Sequence, residues 1–380
     1  MENRSERVAR VVILGGGFGG VAAAVALRAT RGPHSVVLID RQETGYLAGD
    51  NPFIVVGTRR RHEVARRLRD LEAVTFVEAE IERIGLSNHV VRTSKGPFEF
   101  DYLVVALGSS YDWDAVPGAR DGYSFYELEQ AERLHDRLGV FTGGTIAIGV
   151  AGAPIKCPPA PFEMMLMIDW WLRERGIRDL CELHVAIPGP APMAIAGPEP
   201  SAMMTDTLAR RGIVLHTRAA VTRVDAGSMV LADGTELQVD VPITVPIHRP
   251  PGVVANLLED APWIRVDRTT LETSIPNVFA VGDVNVIPIG TAALPKAGVF
   301  AAGEGRTAGG VIASRIDEVE PPGPYDGVGH CFVAFSDEQG AEIGGRFFAE
   351  GGPDVALATP SRDGMDGKKR FDEEWRAFRI

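Results

Sequence analysis

The sequence predicts an α/β fold: two doubly wound parallel-sheet units, the first split in sequence, followed by a small C-terminal cap. Three observations lead there. A glycine-rich turn, Gly15-Gly16-Gly17-Phe18-Gly19-Gly20, joins an apolar β-branched run to an alanine-rich one. A second strand ending in glycines follows at residues 145–154, and an apolar strand delivering Gly282-Asp283 stands far downstream, after a whole intervening unit.

The first signal is the most informative. Val11-Val12-Ile13-Leu14 suits a strand buried on both faces, and Val21 to Arg28 is a good helix former, so the order is strand, tight turn, helix. Gly15, Gly17 and Gly20 fit G-x-G-x-x-G: the first permits the turn, the second lets backbone approach a diphosphate, the third lets helix pack on strand. Unpaired N–H groups at the helix start then face the phosphates. A second apolar run ends in Asp40, twenty residues past Gly20, where a carboxylate accepts from ribose hydroxyls. These features together define a Rossmann-like dinucleotide site.

Residues 45–57, rich in turn formers and without clear periodicity, read as a loop beside that site. Residues 58–69 read as a helix carrying six arginines, a solvated face more than a surface for anions. Residues 98–109 form a strand that returns to the first sheet through Ala106 and leaves at Gly108. The second unit starts at residues 145–150, but its loop is a poor phosphate cradle. It keeps only Gly149 and Gly152, and Pro154, Pro158, Pro159 and Pro161 remove four N–H donors where an anion needs them. A methionine- and tryptophan-rich helix spans 162–176, and strands and helices alternate to residue 231, with a hairpin turn at Asp233-Gly234.

Residues 245–251, rich in proline, cross back to the first unit, where Val278-Phe279-Ala280-Val281 delivers Gly282-Asp283. The segment resembles the one in two-domain FAD enzymes whose aspartate bonds the ribityl chain, and the resemblance implies that the dinucleotide is FAD. Lys296 follows at the start of a helix directed at the flavin ring, where an ammonium stabilises the charge of the reduced ring. The expected units are residues 1–112 with 265–324, residues 113–264 with a degenerate nicotinamide site, and residues 325–380.

Composition bounds the function. The 380 residues exceed one ordinary core. A net charge of −12 disfavours nucleic acid. The charged start leaves no room for a secretory signal and no stretch is apolar enough to span a bilayer, so the expectation is a cytoplasmic protein, soluble or peripheral to a membrane. Three cysteines, Cys157, Cys181 and Cys331, make neither a disulfide scaffold nor a zinc cluster. In a reducing compartment a bonded pair among them is catalytic before it is structural.

Gly15 to Gly20, Asp40, Asn51-Pro52 with Val56-Gly57, the block from Ala153 to Glu163 around Cys157, Gly282-Asp283, Leu294 to Gly298 and Gly329-His330-Cys331-Phe332 together resemble the sulfide:quinone oxidoreductase family. The resemblance extends to the flavoprotein subunit of flavocytochrome c sulfide dehydrogenase. It implies FAD held by Gly15, Gly17, Phe18, Gly19, Gly20, Asp40, Arg41, Asn51, Ala106, Gly108, Gly282, Asp283 and Lys296. It also implies a redox-active disulfide between Cys157 and Cys331 beside the flavin, oxidising sulfide or a small thiol for a quinone or a cytochrome. Quinone-linked members carry a third redox cysteine; the matching place here is near Tyr126, and no cysteine lies there.

The chemistry asks for the same pair. Sulfide oxidation needs a sulfur electrophile for hydrosulfide and a thiolate within reach of the flavin C4a atom. His330 favours the Cys331 thiolate if it points the right way, Cys181 reads as core, and Glu163 is either a base for hydrosulfide or a first-turn complement to the helix dipole. The terminal helix puts Phe371, Trp375 and Phe378 on one face; docking on the body of the protein or on a second subunit is favoured over membrane contact. The rival readings are a type II NADH:quinone dehydrogenase and a flavin-containing redox sensor that does not turn over.

Overall fold

A computed structural model describes residues 7–379; residues 1–6 of the charged N-terminus and residue 380 lie outside it. Five parallel strands form the first sheet in the order Val278–Ala280, Tyr102–Val105, Ala9–Leu14, His34–Asp40, Thr75–Glu78. One of those strands thus comes from far beyond the second sheet in sequence. Successive residues of its central strand alternate between two apolar clusters: Val11 and Ile13 face one side, Val12 and Leu14 the other. Burial on both faces is why the strand reads as an unbroken apolar run.

The second sheet has four parallel strands in the order Ile213–His216, Cys181–Ala186, Gly144–Val150, Val241–Val245. An antiparallel sheet, Val328–Ala334, Gly340–Arg346 and Asp354–Leu357, forms the C-terminal part. The helices in chain order are α1 (Phe18–Leu27), α2 (Asn51–Val56), α3 (Leu128–Gly139), α4 (Ala160–Glu174), α5 (Pro198–Arg210), α6 (Gly298–Asp317) and α7 (Arg362–Arg376). α1 and α6 pack with backbones nearly touching: a Cβ on Gly305 would lie 2.1 Å from the carbonyl oxygen of Gly19.

Two segments depart from expectation. Residues 45–57 are not a loop throughout, because residues 51–56 form α2, with Pro52 in its first turn and every residue buried. A helix buried all round shows no apolar periodicity, which hid it. Residues 58–69 are not an arginine helix. They form a 3-10 turn at Arg61–Val64, a short strand Ala65–Arg67 paired antiparallel with Thr44–Tyr46, and a second 3-10 turn at Leu68–Asp70. Most of these arginines are paired: Arg59 with Asp50 and Asp372, Arg61 with Glu129 and Glu132, Arg67 and Arg69 with Glu43.

The aromatic face of α7 docks on its own chain. Phe371 stacks on Phe18 with ring centres 5.8 Å apart, Trp375 is buried beside the same ring, and Met365 is buried on the C-terminal sheet. Each large apolar side chain so buried contributes about 1.5–3 kcal/mol. A buried ion cluster reinforces the docking, since Arg59 Nη1 reaches Asp50 at 2.5 Å and Asp372 of α7 at 2.7 Å.

Candidate active site

The glycine turn has the geometry its motif requires. Gly15 sits at φ +98°, and a Cβ on Gly20 would lie 1.9 Å from the Gly15 carbonyl oxygen, so helix and strand approach as only glycine allows. Gly17 faces open space, and α1 begins there with no side-chain cap and no acidic residue in its first turn. Its first N–H groups are therefore left for an anion. Asp40 ends the second strand, its Oδ2 accepting from the Gly16 N–H at 2.7 Å and its Oδ1 from the Gln42 N–H at 3.0 Å. Arg41 is exposed beside it. An open glycine cradle, an uncapped helix and a carboxylate at the strand end fit the adenosine diphosphate half of FAD.

The other half is lined by charged and aromatic groups. Asp283 follows Gly282, which sits at φ +77° and gives its N–H to Glu304 Oε2 at 2.6 Å. Burial raises the Asp283 carboxyl, opposed by Lys156 and Lys296. Burial likewise pushes Glu304 up to about 8 and Lys296 down to about 8. Lys296 Nζ donates to the carbonyls of Asp283 and Asn285 and lies 3.6 Å from the centre of the Trp263 ring, so the lysine is clamped rather than mobile. Asn51 donates its amide N–H to Phe125 O at 2.7 Å and keeps its own oxygen buried without a partner. Gly108 sits at φ +65°, just past the strand that delivers Ala106.

The two remote cysteines converge. Cys157 and Cys331 face each other as half-buried free thiols at the floor of an apolar pocket whose walls include Pro295, Phe300, Ile343 and Phe347. Cys157 is held at φ +51°, and its N–H donates to Lys296 O at 2.6 Å, which ties the second unit's loop to the first unit. Three further N–H groups are used internally at the start of α4: Ala160 bonds the Cys157 carbonyl, and Phe162 and Glu163 bond that of Pro159. Pro154, Pro158, Pro159 and Pro161 offer no N–H at all, which makes the segment a poor cradle for a nicotinamide dinucleotide's phosphates.

Electrostatics separates the two thiols. The hydrogen bond from Cys157 holds Cys331 below the usual thiol range, against burial and with help from the Lys368 charge. The same bond, together with burial, pushes Cys157 up. Lys368 comes from α7 and is buried; against that burial, Glu163, Asp372 and Asp50 keep it protonated. Glu163 lies within this group, accepting from Ala334 N–H at 2.7 Å with Lys368 Nζ at 3.4 Å, and burial raises its carboxyl.

His330 does not assist Cys331. Neighbours on a strand point to opposite faces, and His330 is exposed and bonded to Glu342 at 2.6 Å. Cys181 is buried, its thiol donating to Ile177 O, as a core residue would be. No role in the site was assigned from sequence to Lys368, to Tyr111, stacked under the Lys156 ammonium at 4.7 Å, or to Tyr126 itself, noted only as the place of a missing cysteine, whose hydroxyl donates to Lys156 O beside Cys157.

His248, buried between Tyr111 and Tyr126, donates from Nδ1 to Pro246 O at 2.9 Å and leaves Nε2 unpaired. Burial, then Lys156, pushes its pKa down to about 3. The unfolded chain binds this proton near pH 6.5 and the folded one does not, so the stabilisation is present above 6.5 and lost as pH falls toward 3. Each unit of that window is worth about 1.4 kcal/mol. Urea unfolding of His248→Gln against the unmodified protein is expected to show a shallower loss of stability from pH 6.5 to 4.

These features define a two-dinucleotide-fold flavoprotein with a dithiol beside its flavin site, and the chain belongs to the pyridine nucleotide-disulphide oxidoreductase family, whose model matches residues 9–305. It is accordingly an FAD-dependent oxidoreductase. Among curated relatives, the mitochondrial sulfide:quinone oxidoreductase of Mus musculus is 22% identical, covering 73% of this chain and 66% of that protein. The sulfide-quinone reductase of Aquifex aeolicus is 26% identical, covering 73% and 69%. The chain thus spans about two thirds of the length of these relatives. The crystal structure of the Aquifex aeolicus sulfide:quinone oxidoreductase superposes with a TM-score of 0.88 at 22% identity, covering 98% of this chain and 92% of that one. NDH2 of Plasmodium falciparum in complex with NADH superposes at 0.75 and 12% identity, covering 98% and 96%.

The expectation of a cytoplasmic location is overturned. The relatives from Mus musculus and Dictyostelium discoideum are mitochondrial proteins, which points away from the cytoplasm. A charged N-terminus argues against a secretory signal only, and carries no weight against an organelle or a membrane surface. Among the described residues no helix is long and apolar enough to cross a membrane.

Proposed function

We propose that the protein oxidises sulfide, or a small thiol, at a disulfide formed by Cys157 and Cys331 and delivers the electrons through FAD to a quinone. The observation that carries this reading is the meeting of two cysteines 174 residues apart in sequence in one apolar pocket next to the Gly282-Asp283 and Lys296 segments. The family membership and the sulfide:quinone oxidoreductase relatives support it. The reading includes the division into residues 1–112 with 265–324, residues 113–264 and residues 325–380.

Hydrosulfide attacks the disulfide at the Cys157 sulfur, and the Cys331 thiolate leaves beside the buried Lys368 ammonium; Cys157 becomes a persulfide as the S–S bond breaks. A second hydrosulfide takes the outer sulfur as a hydrogen disulfide anion, leaving Cys157 as thiolate. When the two cysteines rejoin they give up two electrons; FAD, held by the Gly15–Gly20 turn, Asp40 and Asp283, would supply the two-electron acceptor that relays them to the quinone. Lys368 stabilises the Cys331 thiolate, and Glu163 takes the proton of the incoming sulfur species. The apolar pocket walls exclude water and so strengthen both effects.

Similarity to an alternative NAD(P)H-ubiquinone oxidoreductase and to a type II NADH:quinone oxidoreductase favours a second reading, in which NADH is the donor. The four prolines around Cys157, which offer no N–H to a phosphate, stand against it. Anaerobic titration separates the two: sulfide is expected to bleach the flavin within seconds and NADH to leave it oxidised, and sustained quinone reduction with sulfide is expected where a non-turnover sensor would stop after one reduction. Rapid bleaching by NADH together with indifference to sulfide would replace the proposal by its rival.

A further inference from the structure

Arg66 is unlike the arginines around it. It lies on the strand Ala65–Arg67 opposite Gly45, is 4% exposed, and among the described residues has no carboxylate partner. Its guanidinium stacks 4.0 Å from the centre of the Trp375 ring and 4.9 Å from that of Phe378. Nη1 donates to Trp375 O at 2.8 Å and Nη2 to Gly16 O at 3.2 Å, while Nε–H is buried with no partner at all. A buried cation with an unspent donor and no counter-charge is costly, and burial pushes its pKa down to about 9.

The compensating anion is suggested by what Arg66 touches. Gly16 stands between Gly15 and Gly17 in the turn that feeds the uncapped start of α1. The first residue of that helix, Phe18, packs against Phe371 and Trp375 of α7. The C-terminal helix therefore grips the glycine turn from two sides, once through Phe18 and once through Arg66. Arginine presents a fork of donors matched to phosphate oxygens, and stacking on an aromatic ring fixes that fork with little loss of freedom on binding.

We propose that Arg66 is a ligand of the FAD diphosphate, held in place by Trp375 as a positioning residue, so that the C-terminal helix is a clasp on the cofactor. The inference rests on the FAD reading and is independent of the substrate. It explains why an arginine is buried here without a carboxylate, and it gives α7 a role beyond completing the fold.

The test uses purified holoenzyme and reads FAD release by the rise in flavin fluorescence, together with the phosphorus NMR resonances of the bound diphosphate. Arg66→Met is expected to release FAD about 10- to 100-fold faster, the range of one charge-assisted hydrogen bond, and to move the diphosphate resonances. Arg66→Lys, which keeps charge but not the fork, is expected to fall between, and Trp375→Leu to speed release with a smaller resonance shift. Wild-type release with unmoved resonances in Arg66→Met overturns the proposal. Faster release with unmoved resonances also overturns it, because the arginine would then only brace the fold. If Arg66→Met does not fold, Arg66→Lys decides by the same two readings. Sulfide turnover enters neither, so failure here and failure of the sulfide reading are separable.

Discussion

Replacing Cys331 by serine is expected to slow flavin reduction by sulfide more than about a thousandfold while leaving FAD bound. Serine cannot form the bond that hydrosulfide attacks, and its hydroxyl has no accessible anion at neutral pH, so both the electrophile and the leaving group vanish together. The effect on folding is small by comparison, because Cys331 is half-buried at a pocket floor and the substitution is nearly isosteric. A spectroscopic companion separates the two sulfurs. Cys331 is the one held below the usual thiol range, so a long-wavelength thiolate-to-flavin absorption in the reduced dithiol protein is expected to disappear in Cys331→Ser and to persist in Cys157→Ser. Stopped-flow absorbance with sulfide checks the rate; bleaching of Cys331→Ser at the wild-type rate would falsify the disulfide mechanism.

The second large effect is on the cofactor. Gly20→Ala places a methyl group 1.9 Å from the Gly15 carbonyl oxygen and 3.2 Å from Ile13 Cγ2, and the first of these is backbone that cannot swing away. α1 must move off the sheet, dragging the phosphate-facing N–H groups with it, so the purified protein is expected to carry under about a tenth of the wild-type flavin. Gly17→Ala is the informative contrast. Its added methyl meets nothing within 4 Å of the protein, so the chain folds with its ordinary stability, yet the methyl occupies space that the motif leaves for a diphosphate. Flavin-to-protein absorbance ratios and melting temperatures read together distinguish a lost fold from a filled cradle.

Much of the cofactor half was legible because its signals are local. A strand, a glycine turn and a helix contiguous in sequence can adopt little else, and the carboxylate at the end of the next strand follows at a spacing set by the length of one helix and one turn. The prolines around Cys157 were equally readable, since a missing N–H is a property of the residue and not of its surroundings. Residues 45–69 failed for the opposite reason. α2 hid because every face is buried, and the arginine run misled because most of its charges are paired with acids far away in sequence, Asp372 being the farthest. His330 failed because adjacency in sequence is opposition on a strand.

The sequence by itself determined the two parallel sheets, the return of a late strand to the first of them, and the glycine turn that receives a dinucleotide, since each depends on backbone permissions and apolar periods written into short segments. Only the tertiary structure decided which charges stand beside the sulfurs and which arginine is left without an acid. Lys368 and Trp375 reach Glu163, Cys331 and Arg66 from a terminal helix, and a buried charge takes its energy from whatever the fold brings within a few ångströms, which no local pattern specifies.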